Sequence, residues 1–114
     1  MATTTIAPPT ATTAPFPKAA VEAALRDELI GAIKIEASIK GISLPSAPAA
    51  IEKAAVHVDS LVTVGILCVI EPIVGFELPE SIVRTGGYAT VEVALGHLTA
   101  QIEKQWIKRK GAKP

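Results

Sequence analysis

Ser60 stands where its hydroxyl could be modified chemically. It follows Asp59 and precedes an apolar run from Leu61 to Ile70, a pattern typical of the start of a helix. The first turn of a helix has unpaired backbone N–H groups and the positive end of the helix dipole, so a phosphodiester on Ser60 would be stabilised there. The same pattern is also typical of a serine that only caps its helix. The dipeptide alone leaves both interpretations open.

Three other side chains suit catalysis or metal binding: His57, Cys68 and His97. Cys68 lies among apolar residues with no cationic neighbour to activate its thiol, so we expect a small buried hydrophobe rather than a nucleophile. The histidines have no Cys or carboxylate companions at metal-ligand spacing, so no metal site is predicted. A catalytic pair of Ser60 and His57 is conceivable, but the Gly-x-Ser-x-Gly elbow of hydrolases is missing.

The elements that must position Ser60 are predicted to be three main helices. The first runs from Lys18 to Lys40 and stops at Gly41. The second opens at Asp59-Ser60 and runs to about Val74, with Gly75 as its end. The third begins after Thr90, a plausible N-cap.

The outer two helices carry apolar faces at helical spacing. In the first helix the face consists of Val21, Ala24, Leu25, Leu29, Ala32, Ile33 and Ile39. In the last helix it consists of Val91, Ala94, Leu95, Leu98, Ile102 and Trp106, and we expect Trp106 to hold the helix end to the bundle.

The connections between these helices are long and rich in proline. Pro48 suits the start of a short helical turn over 49–54, and Pro79 suits one over 79–83. Pro72 should kink or shorten the second helix near its last turn. Gly86-Gly87 predicts a turn before the last helix.

Composition agrees with one small all-α domain. The chain has 114 residues, of which 49% are hydrophobic but only 4% aromatic, and such an aliphatic composition suits packed helices. We expect an antiparallel bundle of three to four helices over 18–107, with long loops. Residues 1–17 are Thr, Ala and Pro without charge, which predicts a disordered N-terminal tail.

Residues 108–114 form a basic C-terminal tail. From Thr99 to Pro114 there are five basic residues and one acidic residue, whereas Ile42 to Leu98 has two basic and six acidic residues. Such a tail could contact a membrane or a nucleic acid, or it could form a solvated helix end, which cations stabilise. We expect the solvated end, with no nucleic-acid partner.

No segment is predicted to insert stably in a membrane. The apolar run from Leu61 to Ile70 is about half of the roughly 20 residues that a spanning helix needs. No secretory signal is visible at the N-terminus, and the single Cys68 fits a reducing compartment. The expected location is the cytoplasm.

Three short motifs follow one another at the predicted helix boundaries: Asp59-Ser60-Leu61, then Glu77-Leu78-Pro79, then Thr90-Val91-Glu92. An amphipathic helix and a proline-containing connection precede them. This order resembles the acyl carrier protein family over residues Val21 to Leu98.

The resemblance implies that a phosphopantetheinyl transferase attaches 4′-phosphopantetheine to Ser60. Asp59 would help the transferase to place its metal ion, and Leu61 would pack near the arm. The thiol of the arm would carry acyl groups between acyl-loading and acyl-transfer enzymes of fatty-acid, polyketide or related biosynthesis, so the chain itself would not be an enzyme. The family shelters acyl chains in the bundle interior, lined here by Val64, Leu67, Ile70, Val74, Leu78, Leu95 and Leu98, which are core residues first.

One feature departs from the family pattern. Members usually carry acidic residues on the exposed face of the second helix, where this chain has Val62 and Gly65. We therefore expect docking on partners, or self-association, through an apolar surface that includes Val62, Gly65 and Ile66.

Two other functions stay open. A peptidyl or aminoacyl carrier would use the same serine on the same architecture. A helical protein-interaction module would keep the fold without a prosthetic group and would bind its partner through the apolar second helix.

Overall fold

A computed structural model describes residues 15–110 of the chain. It has four α-helices in the order α1 (Lys18–Lys40), α2 (Pro48–Lys53), α3 (Ser60–Val74) and α4 (Val91–Lys110), with a 3₁₀ turn at Glu80–Ile82 between α3 and α4. Within this part of the chain the only strand-like pairing is an isolated antiparallel bridge between Val58 and Tyr88. The expected all-α bundle with long loops is confirmed.

Glycines end the first two long helices, as the sequence predicts. Gly41 and Gly75 have left-handed backbones with φ of 70° and 86°, and the N–H of Gly75 donates to the carbonyl of Glu71. Such a conformation is open to glycine at little steric cost and lets the chain leave the helix at once. Pro72 does not shorten α3, which continues past it to Val74.

Aromatic contacts fix the directions of the helices. Phe16, just before α1, packs edge-on against Trp106 near the end of α4, with 5.8 Å between ring centroids. Phe76, just after α3, lies 6.4 Å from the same ring. The start of α1 and the ends of α3 and α4 therefore meet at one end of the bundle, so α1 runs antiparallel to α3 and α4.

Helix α1 forms the centre of the packing, because it contacts both α3 and α4, while the short α2 packs on α1 and α4. The predicted face of α4 is buried throughout, from Val91 to Trp106. The prediction for α1 was wrong at its last position, since Ile39 is 76% exposed and Ala37 is buried instead. Ile39 is two positions along from Ala37, which turns its side chain away from the core.

The ends of the domain differ from the predicted boundaries. Phe16 belongs to the stretch expected to be a disordered tail, yet it packs against the core. Helix α4 continues to Lys110, into the segment expected to be the basic tail. The rest of both predicted tails lies outside the described residues.

Candidate functional site

Asp59 provides the N-cap of α3. Its backbone is extended, and its Oδ1 accepts a hydrogen bond of 2.7 Å from the backbone N–H of Leu61. Its carbonyl oxygen accepts a second bond of 2.9 Å from the hydroxyl of Thr63. An aspartate at this position satisfies an otherwise unpaired N–H and places a negative charge at the positive end of the helix.

Ser60 is therefore not the residue that caps the helix. It is the first residue of α3 and is partly exposed. Within residues 15–110 its hydroxyl has no hydrogen-bond partner, since the capping bond belongs to Asp59. The hydroxyl thus stands free at a helix start, where the backbone N–H groups and the helix dipole favour an attached phosphate. The residues present fit a phosphopantetheine group.

The segment before Ser60 is held by the turn before α4. Val58 and Tyr88 exchange two backbone hydrogen bonds, of 2.8 and 2.9 Å. Beside them His57 donates from Nε2 to the carbonyl oxygen of Gly86 at 2.7 Å. His57 is thus engaged with Gly86, which gives no support to a catalytic pair with Ser60.

Gly87 makes this close approach feasible. Its φ is +84°, and a Cβ added to it would overlap the carbonyl oxygen of Val58 and crowd the His57 ring. Any larger residue would push the turn away from the segment that leads to Ser60. The sequence predicted a turn at Gly86-Gly87, but the contact with residues 57–58 could not be read from it.

Tyr88 connects the turn to α4. Its ring is 1% exposed, and its hydroxyl accepts a 3.0 Å bond from the backbone N–H of Arg84 and lies 2.7 Å from Nδ1 of His97. Burial raises the pKa of the Tyr88 hydroxyl. Burial, followed by the nearby charges of Arg84 and Lys104, lowers the pKa of His97. The Nδ1 of a neutral His97 can accept a hydrogen bond that the Tyr88 hydroxyl donates.

A surface hollow of about 220 Å³ opens beside Ser60. It is lined on the α3 side by Ser60, Leu61 and Val64, and on the other side by Glu80, Val83, Arg84, Thr85 and Gly86. Val64, one of the residues expected to line the interior, is only partly buried. Leu61 is 80% exposed at the rim. The hollow offers both apolar and charged side chains to a group attached at Ser60.

Helix α3 exposes a face without charge. Val62 and Val69 are each 45% exposed, and Gly65 and Cys68 also lie on the surface. The expectation of a buried Cys68 was therefore wrong: it sits on the side of α3 opposite the core. The apolar character of its neighbours misled the prediction, because here apolar residues cover both sides of the helix.

The three residues predicted to bind partners line one groove but differ in exposure. Val62, Gly65 and Ile66 line a groove of about 360 Å³ between α1 and α3, whose α1 wall includes Gly31 and Ile35. Val62 is 45% exposed, whereas Ile66 is 5% exposed and packs mainly in the core. The groove continues past Val62 towards Asp59.

Among the described residues, no three His, Cys, Asp or Glu side chains lie close enough together to hold a metal ion. None of the helices in residues 15–110 has the length and apolarity to cross a membrane.

Arg84 and Tyr88 are site residues that sequence reasoning missed. The only signal for them is their position on either side of Gly86-Gly87, which marks a turn but not its neighbour.

Comparison of the chain with protein-family models, with curated proteins and with solved structures finds no match in any of the three.

Proposed function

We propose that the chain is an acyl carrier protein that bears 4′-phosphopantetheine on Ser60. The observation that carries the proposal is the division of tasks at the start of α3: Asp59 caps the helix, and the Ser60 hydroxyl is left without a partner among residues 15–110. Capping by Ser60 was the main competing explanation for this dipeptide. With the cap supplied by Asp59, the free hydroxyl of Ser60 beside the hollow supports modification at this residue.

In this function the arm supplies the thiol that holds an acyl group as a thioester. Ser60 supplies the attachment oxygen, and Leu61 lies at the rim of the hollow where it can pack against the arm. Asp59 is exposed, so a carboxylate oxygen other than the capping Oδ1 can face the metal ion of a phosphopantetheinyl transferase. The chain has no catalytic step of its own.

The residues around α3 favour one class of cargo. The core beside α3 is aliphatic, with Leu67, Ile70 and Val74 all 2% exposed or less, and this favours an acyl chain over a polar aminoacyl group. Acyl-loading and acyl-transfer enzymes would then be the partners, in fatty-acid, polyketide or related biosynthesis. A single free cysteine suits a cytoplasmic setting.

Incubation with coenzyme A and a broad-range phosphopantetheinyl transferase tests the proposal. Intact mass should rise by one phosphopantetheine group in the unchanged chain and not in Ser60→Ala. Ser81→Ala is the matched control, because Ser81 is an exposed serine on the neighbouring 3₁₀ turn, and this variant should load normally. Absence of a mass increase in the unchanged chain would refute the carrier function.

A second candidate is a helical interaction module without a prosthetic group. The observation in its favour is the uncharged exposed face of α3, with Leu61 80% and Val62 45% exposed. Exposed apolar patches on small proteins mark interaction surfaces. This candidate predicts no mass increase in the loading experiment, whereas the carrier predicts one.

A further inference from the structure

Arg84 contacts Tyr88 through both its backbone and its side chain, although its charge is exposed. Its backbone N–H donates to the Tyr88 hydroxyl at 3.0 Å, and its guanidinium carbon lies 5.1 Å from the centre of the Tyr88 ring. Tyr88 is itself buried. Stacking on an aromatic face orients a guanidinium while leaving its N–H groups free to donate. The cation is thus anchored and still available.

The charge of Arg84 has no acidic partner. Across residues 15–110 the ion pairs are Arg26 with Glu52 and Lys40 with Glu36. Glu80 lines the same hollow as Arg84 but forms no ion pair with it. A cation that is positioned on a buried ring, and that no carboxylate neutralises, is free to pair with an anion from outside the chain.

The same hollow also contains Ser60. The two residues belong to one fixed unit, because Tyr88, which holds Arg84, is bonded through its backbone to Val58, two positions before Ser60. Arg84 therefore keeps its place relative to the attachment point even though the two are far apart in the sequence.

We infer that Arg84 is the counter-charge for the phosphodiester that joins the arm to Ser60. This inference rests on the proposed carrier function. A guanidinium presents paired N–H donors that match two phosphate oxygens. By pairing with the phosphodiester, Arg84 holds the base of the arm against the hollow and acts as a positioning residue, while the thiol end stays mobile.

Side-chain NMR of the loaded chain tests the inference. The Nε–Hε resonance of Arg84 should shift when Ser60 is loaded, and the shift should shrink when the ionic strength is raised from about 0.05 M to about 0.5 M, because salt screens exposed charges. Arg109 is the internal control. Its guanidinium also lies over an aromatic ring, Phe76, at 5.3 Å, but at the opposite end of the bundle, so its resonance should not move.

Two variants complete the test through the phosphorus-31 resonance of the arm. Arg84→Gln should change the phosphorus-31 chemical shift of the arm relative to the unchanged chain, and Arg109→Gln should leave that chemical shift unchanged. Loss of loading would overturn both the carrier function and the role of Arg84. The role of Arg84 alone would be overturned if the chain loads fully by mass but two NMR changes are absent. These are the shift of the Arg84 Nε–Hε resonance on loading and the change of the phosphorus-31 resonance in Arg84→Gln.

Discussion

At the scale of single residues, the site depends on which of two neighbouring polar side chains makes the capping hydrogen bond of α3. Asp59 and Ser60 are both favoured capping residues, and only the backbone geometry decides which of them caps α3. The sequence placed the helix start correctly and named Ser60 as the candidate. It could not show that the hydroxyl of Ser60 is left free, because that depends on the 2.7 Å bond that Asp59 makes to Leu61.

Gly87 should be the glycine least tolerant of substitution in the turn before α4. Gly86 and Gly87 both have φ near +85°, with values of 88° and 84°, so alanine at either position costs about 1–2 kcal/mol in backbone strain. At Gly86 the added Cβ meets nothing within 4 Å, whereas at Gly87 it overlaps Val58. We expect Gly87→Ala to lose about 1–3 kcal/mol more of the unfolding free energy than Gly86→Ala, measured by urea denaturation. Equal losses would mean that the 57–58 contact is not rigid.

His97 should make the stability of the fold sensitive to acid. Its pKa in the folded chain is lowered from 6.5, mainly by burial, so the unfolded chain binds its proton first as the pH falls. The contribution of neutral His97 to the unfolding free energy is fully present well above pH 6.5. It is lost progressively as the pH falls below 6.5, because the unfolded chain is then protonated more readily than the folded chain.

His97→Gln removes this titration but keeps a side chain that can accept a hydrogen bond from the Tyr88 hydroxyl. The urea midpoint should fall between pH 7.5 and pH 5.5 by more in the unchanged chain than in the variant. All other titrating groups are common to both proteins. A parallel decline in the two would show that His97 does not contribute.

At the scale of elements, α3 shows where the sequence is informative and where it is not. Its ends follow from Asp59 and Gly75, and its existence follows from the apolar run. Its orientation does not, because apolar residues occupy both sides and leave no amphipathic signal. The wrong prediction for Cys68 has this physical cause.

Paired variants of α3 should separate its two faces. Val62→Asp should leave the unfolding free energy within about 0.5 kcal/mol of its original value, because the side chain is 45% exposed. Ile66→Ala should cost about 2–5 kcal/mol, because Ile66 lies in the core. Thermal denaturation of both variants measures these effects. If Val62→Asp unfolds the chain, the exposed face of α3 is wrongly assigned and cannot serve partner docking.

The turn before α4 is the second informative element. Pro79, Gly86-Gly87 and the Thr90 cap were readable from local sequence, and the Thr90 hydroxyl does accept from the N–H of Val93 at 3.1 Å. The bridge from Tyr88 to Val58 joins residues 30 positions apart, and a single sequence carries no sign of such a pairing. The part of the site that contains Arg84 was invisible for this reason.

At the scale of the whole molecule, the two ends of the bundle differ in the residues that they bring together. The end at Trp106 gathers the start of α1 and the ends of α3 and α4 around aromatic rings. The opposite end gathers Ser60, the Val58–Tyr88 bridge and Arg84. The aromatic contacts hold three helix ends together at one end of the bundle and leave Ser60 and its hollow at the other.

Trp106 should be the main stabilising residue of the closed end. Trp106→Ala should lower the unfolding free energy by about 3–5 kcal/mol, since the side chain is only 8% exposed. Ile107→Ala, one position along and 47% exposed, should change it by no more than about 0.5 kcal/mol. Helical circular dichroism during heating reports both. A small effect of Trp106→Ala would show that the aromatic contacts do not hold the helix ends together.

The central claim is that Ser60 carries a phosphopantetheine arm, and intact mass after incubation with coenzyme A and a broad-range transferase tests it most directly. The account predicts an increase of one phosphopantetheine group in the unchanged chain and in Ser81→Ala, and none in Ser60→Ala. An unchanged mass in all three, with the fold intact by circular dichroism, would contradict it.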